Sequence, residues 1–436
     1  MTTFGRFDPF ERRITEAIDE IAAARPPDYL TDILRLTARS SQRPRWTFPE
    51  RWLNVDTTLT RPSLFGRRVP VRPLIVLALL TALVAGSLAF YIGTQKRLPA
   101  PFGPADNGQL IVSINGDLHV ADSLTDTPRL LLARPAEQSG VVISPDGQLI
   151  AYDDYTNADA SGNPHEWVAN LDGSNPRQVL ERPYTFEWFE WAPDSRSIAI
   201  VTKPFGLPEL WLAPADGSGA RQLLFESFVP WGVTWDPLRS GTLLVRGADN
   251  GTGLTDLYYV TADGQVLQKF GMTPLNLNGA QYELSGMAFS PDGQTIAYNS
   301  IVAVEEPVNR FRVHLMDRDG SNDREIAAPI ATGYSQAWPV FSPDGRWILM
   351  SSWETKADGS LVFQLAIAPS DGSAPARRIG PILDDDNQLK TWSPDGSRIL
   401  LCACEHKELY SVNPLTGASE KLPWQGDLPG WQRVAP

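Results

Sequence analysis

A turn motif written S-P-D-G recurs along this chain, and it constrains the fold more than any other feature. The full unit, apolar-S-P-D-G-x-x-I-A, runs at Ile143 to Ala151, Trp191 to Ala199 (as A-P-D-S), Phe289 to Ala297, Phe341 to Leu349 and Trp392 to Leu400, with a worn copy at Trp235 to Leu244. Its prolines, Pro145, Pro193, Pro237, Pro291, Pro343 and Pro394, are spaced 44 to 54 residues apart. That period belongs to propeller blades rather than to helical solenoids. Pro fixes φ and Gly supplies the positive φ that a tight turn between two apolar runs needs, so each copy reads as a hairpin.

A second unit follows each first one. It reads W-V-A-N-L-D-G-S from Trp167, L-W-L-A-P-A-D-G-S from Leu210, L-Y-Y-V-T-A-D-G-Q from Leu257, V-H-L-M-D-R-D-G-S from Val313, L-A-I-A-P-S-D-G-S from Leu365 and L-Y-S-V-N-P-L-T-G from Leu409. Asp-Gly again closes a strand pair. Two hairpins per period make the four strands of one blade. A further copy from Leu118 has only the strand L-I-V-S-I before it, so the first blade lacks its innermost strand. Trp431, in L-P-G-W-Q-R-V, stands where the other copies place Ile143, Trp191, Trp235, Phe289, Phe341 and Trp392. The C-terminus is therefore expected to complete blade one and remove the open edges. The expected fold is an all-β, seven-bladed β-propeller over 109–436, its aromatic set packed between blades.

The S-P-D-G-x-x-I-A and D-G-S-x-x-x-R-x-L units resemble the WD40-like repeats of TolB-type propellers. The resemblance implies a periplasmic or surface protein that acts through protein contacts.

The net charge of −13 is unevenly spread: residues 1–73 carry thirteen Arg, no Lys and nine acids, leaving about −17 for the remainder. Between these parts, Leu74 to Ile92 is a charge-free run of nineteen residues. As a helix it reaches roughly 28 Å, about one bilayer core. It is expected to be a transmembrane anchor, because it lies too far from the N-terminus for a cleaved signal peptide. Arg61, Arg67, Arg68 and Arg72 before it place residues 1–73 in the cytoplasm and the propeller outside, with 93–108 as a Pro-rich linker.

Two short helices are expected in the cytoplasmic part: Phe10, Ile14, Ile18 and Ile21 share one face, and Tyr29, Leu30, Ile33 and Leu34 form a second apolar set. This arrangement is similar to membrane-anchored bacterial proteins with an anti-sigma-like N-terminus. The resemblance implies a sigma factor or other cytoplasmic regulator as inner partner. The H-x-x-x-C-x-x-C zinc motif of many such factors is absent, since no His or Cys precedes His119.

Catalytic signatures are sparse. No G-x-S-x-G elbow and no Gly-rich phosphate loop occur, and an acidic outer domain disfavours nucleic acid. His119, His165, His314 and His406 are scattered; His119 and His314 fall at one equivalent strand position and read as packing residues. Cys402 and Cys404 fall on one face of a strand and are expected to stay unpaired. No catalytic residue, metal or cofactor is expected.

The favoured function is a non-enzymatic binding or sensing module. A propeller hydrolase or lyase acting on an envelope glycan or peptide, and a structural envelope scaffold, are the alternatives. In an antiparallel blade the S-P-D-G and D-G-S turns share a first face and the long irregular connections share a second, where binding usually resides. Those connections carry Asp153, Asp154, Tyr155, Asp159, Phe205, Glu305, Glu306, Trp353, Asp384, Asp385 and Asp386. The expected outer partner is a protein or a cationic ligand.

Overall fold

The computed structural model describes residues 76–84, 100–160, 162–181, 186–203, 206–272, 285–303, 310–326, 334–356, 358–384 and 388–436. The chain divides into two compact units, Met1–Ala89 and Phe90–Pro436. In the first, residues 76–84 are helical with exposed side chains. They are the described portion of the apolar run 74–92, and no helix among the described residues is long and apolar enough to cross a membrane. The two expected cytoplasmic helices lie outside the described residues.

In the second unit, the described residues form seven four-stranded antiparallel sheets. Six take their strands consecutively from the chain: blade 2 is Gln138–Ile143, Leu149–Asp154, His165–Asn170 and Arg177–Leu180, and blades 3 to 7 repeat the pattern. Blade 1 is composite. Its inner strand is the C-terminal Gly430–Val434, hydrogen-bonded antiparallel to Asp106–Ile114, with Trp431 opposite Leu110.

The core lies in the seams. Within Leu149–Asp154, Ile150 and Tyr152 pack against Ile111 and Val141 towards blade 1, whereas Ala151 packs against Trp191 and Ile198 towards blade 3. Each blade is thus buried on both faces, which is why its second strand reads as a nearly continuous apolar run. Seven apolar clusters result, one per seam, and the last joins Leu400 and Leu409 of blade 7 to Leu110 and Val112 of blade 1. At the end of the inner strands, Trp191, Trp235 and Trp392 are buried and donate their indole N–H to Val142, Glu190 and Val340 carbonyls of the preceding blade. The repeated aromatic is a seam-packing residue, as expected.

The S-P-D-G turn is held by its own serine. Ser144 Oγ donates to Asp146 Oδ1 at 2.6 Å and accepts from the Leu149 N–H at 3.0 Å, while Gly147 sits at φ +71°. The same Ser–Asp bond of 2.6 Å recurs at Ser290–Asp292, Ser342–Asp344 and Ser393–Asp395. Across this first face runs the linker. Arg433 Nη2 donates to the Ala100 and Gly103 carbonyls at 2.7 Å, and the Ala105 N–H donates to Pro394 O at 3.0 Å.

The two cysteines correct the sequence reading, because the structure pairs Cys402 with Cys404 as a disulfide. The strand Ile399–Ala403 ends between them and the chain turns at Cys404. Their Cα atoms are 5.1 Å apart, shorter than the roughly 6.6 Å of an extended i, i+2 pair and within bridging range.

Closure by the C-terminal strand has a measurable consequence. Deleting residues 428–436 removes the inner strand of blade 1 and opens two seams. Calorimetry of the full chain in mild detergent should show the main transition lowered by at least roughly 5 °C. An unchanged transition would contradict closure.

Candidate binding face

The irregular connections gather on the second face, opposite the S-P-D-G turns and the linker strap. The acids predicted to line it are largely occupied where they are described. Asp153 and Asp154 end the strand Leu149–Asp154 and are buried. Asp154 forms an ion pair with Arg134 and accepts the Thr156 N–H at 2.7 Å, and Arg134 lies 4.0 Å over the Trp167 ring. Asp159 closes its own loop by accepting from the Asn163 N–H and side-chain amide, both at 3.0 Å. Tyr155 is half-buried, and burial, then the Asp153 charge, push its phenol up. Asp384 is exposed, 3.9 Å from His406 Nε2. Phe205, Glu305, Glu306, Asp385 and Asp386 lie outside the described residues.

The first-face acids are consumed locally as well. In the D-G-S turns, hydroxyls of Ser174, Ser218, Ser321 and Ser373, then their backbone N–H groups, hold Asp172, Asp216, Asp319 and Asp371 below the ordinary carboxylate range. Among the described residues, no three His, Cys, Asp or Glu side chains converge as a metal site. The Asp323 carboxylate accepts from the His314 ring N–H at 3.3 Å, His314 lies against Tyr298, and His119 bonds the Asp117 carbonyl at 3.0 Å.

Trp353, predicted as a stacking residue, is buried, packed with Ala337 and Phe363. The ring exposed beside it is Trp338, at 5.7 Å and 43% exposed. Trp338 is in the inner strand Tyr334–Phe341 of blade 6, at a break in register between Ala337 and Val340, with φ +53°. Blades 2 and 5 place Gly140 and Gly286 at the corresponding position, three before Ile143 and Phe289, with φ +63° and +66°, and blade 3 has Trp188 there. A non-glycine residue there costs on the order of 1–3 kcal/mol. Its N–H is fixed by Asn299 Oδ1 of blade 5 at 3.1 Å.

A second departure lies in the next blade. Lys390 sits in the inner strand Gln388–Trp392, two residues before Trp392. Blades 2, 3, 4 and 5 hold Val141, Phe189, Val233 and Met287 in that slot, each packed in a seam cluster. The Lys390 ammonium donates to Ser351 Oγ at 2.8 Å, and no carboxylate among the described residues lies within ion-pair distance. Glu354, on the same strand as Ser351, is paired with Arg378 at 3.3 Å. Desolvation pushes the Lys390 amine down from 10.5 to about 7. Sequence reasoning missed both residues, although superposing the repeats would have flagged a lysine in an apolar slot.

No protein-family model matches the chain. It is 35% identical over 96 residues to tricorn protease homolog 2 of Streptomyces coelicolor, a match covering 20% of this chain and 8% of that protein. Over 150 residues it is 25% identical to coronin-7 of Bos taurus, covering 34% and 15%. The chain thus spans a small fraction of the curated relatives it matches. Among solved structures, tricorn protease aligns with a TM-score of 0.51 at 11% identity, over 78% of this chain and 36% of that one. A prolyl endopeptidase aligns at 0.50 and 13%, over 77% and 51%. TolB from Acinetobacter baumannii aligns at 0.46 and 18%, over 74% and 82%. The first two similarities show the propeller fold and nothing of chemistry. The fold is a seven-bladed propeller.

The Lys390 charge should depress stability in a pH-dependent way. Its folded-state value lies below its unfolded one, so the penalty is complete below about pH 7 and fades as pH rises towards 10.5. Lys390→Met should therefore raise the unfolding free energy at pH 6, by on the order of a few kcal/mol, and less at pH 10, read as the shift in melting temperature at each pH. Equal gains at both pH values would show that the ammonium is compensated.

Proposed function

We propose that this chain is a non-enzymatic binding or sensing module that offers the second face of its propeller to a protein or ligand outside a membrane. The span 74–92 anchors it, and residues 1–73 meet a cytoplasmic regulator such as a sigma factor. The observation that carries this reading is the asymmetry of the two faces. Turn serines and the linker strap occupy the first face, whereas the irregular connections lie on the second and the partly exposed Trp338 stands midway along the inner strand of blade 6. A chain tethered through the linker that enters on the first face presents its second face away from the tether. The Cys402–Cys404 disulfide supports an oxidising compartment for the propeller.

Two experiments test this. In intact spheroplasts, added protease should remove the propeller and spare residues 1–73, and the reverse protection would overturn the orientation. In a pull-down from envelope extract, full-length chain is compared with three variants. These are Trp338→Ala, the first-face variant Leu415→Ala, and one with Asp384, Asp385 and Asp386 changed to Ser and Glu305 and Glu306 to Gln. Trp338→Ala should lose partner recovery by roughly tenfold, the weight of one interface anchor, while Leu415→Ala retains it. Loss in the acid variant would identify a cationic partner. Loss confined to Leu415→Ala would place binding on the wrong face.

A further inference from the structure

Only two cysteines occur in the 436 residues, and both stand in the seam where blade 7 meets blade 1. Cys402 is fully buried among Leu110, Val112, Leu400 and Leu409, while Cys404 packs partly buried at the edge of the same cluster. The chain leaves the seam there, because Glu405, His406 and Lys407 are all exposed. The bridge spans a single residue, Ala403. A disulfide that restrains the unfolded chain stabilises more as the loop it closes lengthens, so a bridge across one residue adds little stability.

The turn after the bridge is tied to the segment that closes the ring. The His406 N–H donates to Ala403 O at 3.2 Å and the Lys407 N–H to Cys404 O at 3.3 Å, with Lys407 at φ +53°. Lys407 O accepts the Gly426 N–H at 3.0 Å, and the next residue, Asp427, donates its N–H to Ser113 O of blade 1 at 3.1 Å. Gly426 fits closely, since a Cβ there would stand 2.6 Å from Ser113 O. The strand Gly430–Val434, which completes blade 1, follows directly.

We propose that Cys402–Cys404 is a thiol–disulfide exchange site, entered at Cys404 by a dithiol, whose redox state governs how firmly the turn 404–407 holds the closing segment 424–427. Burial decides the direction of attack. A thiolate of the dithiol bonds to the accessible Cys404 sulfur, the Sγ–Sγ bond breaks, and its electron pair leaves on Cys402 inside the seam. The second thiolate of the dithiol then attacks its own sulfur in the mixed disulfide and releases Cys404. The dithiol ends as a cyclic disulfide, oxidised by two electrons, and its two protons pass through solvent to Cys402 and Cys404 as thiols. Proximity decides the class of partner. Cys402, two residues from Cys404, expels a monothiol from the mixed disulfide by re-forming the bridge, so a dithiol completes the exchange where a monothiol does not. Reduction leaves the apolar contacts of the seam in place and removes the bond that pins the strand end to the turn. The turn and the segment hydrogen-bonded to it are the part released.

The inference goes beyond the binding reading and fails separately from it. Full-length chain in detergent, isolated without reductant, is treated in native buffer with dithiothreitol or with glutathione at equal thiol concentration, alkylated with N-ethylmaleimide and weighed by mass spectrometry. The untreated chain should take up no maleimide, the dithiothreitol-treated chain two, and the glutathione-treated chain far less. Single variants separate the sulfurs: the remaining thiol of Cys402→Ser should react with maleimide roughly tenfold faster than that of Cys404→Ser, as accessibility dictates. Hydrogen exchange reads the consequence. Amides of 405–408 and 424–434 should exchange roughly threefold faster or more after reduction, while those of blade 4 keep their rates. The double variant Cys402→Ala, Cys404→Ala should exchange like the reduced chain and ignore dithiothreitol. Free thiols in the untreated chain that oxidised glutathione does not close, no labelling without denaturant, equal labelling by glutathione, equal reactivity of the two single variants, or unchanged exchange at 424–434 would each overturn the proposal. None of these outcomes bears on capture of a partner by the second face.

Discussion

Each blade has two apolar faces, and only its neighbours cover them. A four-stranded sheet of this composition left at the end of a row would expose a wall of Val, Ile and Leu, at about 1.5–3 kcal/mol for each large side chain returned to water. A ring with no end avoids that cost. The seventh seam, where Leu400 and Leu409 meet Leu110 and Val112, is therefore as necessary as the other six, although it joins parts of the chain nearly 300 residues apart. What secures it is a backbone ladder. Gly430–Val434 pairs with Asp106–Ile114, and Gln432 bonds both Gln109 and Gly147, tying the two chain ends of the domain to blade 2.

Closure also explains the division of labour between the two faces. Strands that pack on both sides leave only their ends free to vary. On the first face the ends are fixed by short turns whose serines and aspartates satisfy each other, so charge there is spent within each turn. Packing between turns adds to this, since Ser195 Oγ of one blade accepts the Asp146 N–H of its neighbour at 3.1 Å. The second face escapes those restraints. Its connections vary in length, and its inner-strand bulges leave positions where a side chain can be set without disturbing a seam.

The repeat made the fold legible because it encodes turn chemistry and seam packing together, and both are local. Pro145 to Pro394 counted the blades, and the match of Trp431 to Trp392 disclosed the composite first blade. The site was less legible, for a physical reason. Acids in loops look available when read in one dimension, but Asp154 meets Arg134 across twenty residues and Asp159 spends itself on Asn163. Trp353 looked like a surface aromatic and is a cluster member, because the register that buries it is set by a cross-strand partner, Phe363. The disulfide was missed because alternation along a strand was extended one residue past the point where the strand ends.

Trp338 and Lys390 were hidden differently. Each is ordinary in itself and unusual only against its equivalents, so the signal lies in the comparison of blades rather than in any window of sequence. Repeats make such a comparison possible within a single chain. Where several blades choose glycine at a bulge and most choose an apolar residue in a seam, physics explains the pattern, and a departure has to be explained by what else touches it. For Trp338 the neighbours are Asn299, whose Oδ1 accepts its N–H, Gly286 of blade 5 and the Trp353 ring, which together hold it partly buried. For Lys390 the one polar partner among the described residues is a hydroxyl, too little by itself to offset a desolvated ammonium. Seam packing that tolerates this cost at a single position has stability in reserve from the other six seams, and a closed ring can hold a charged group in an unfavourable place because no single blade bears the whole penalty.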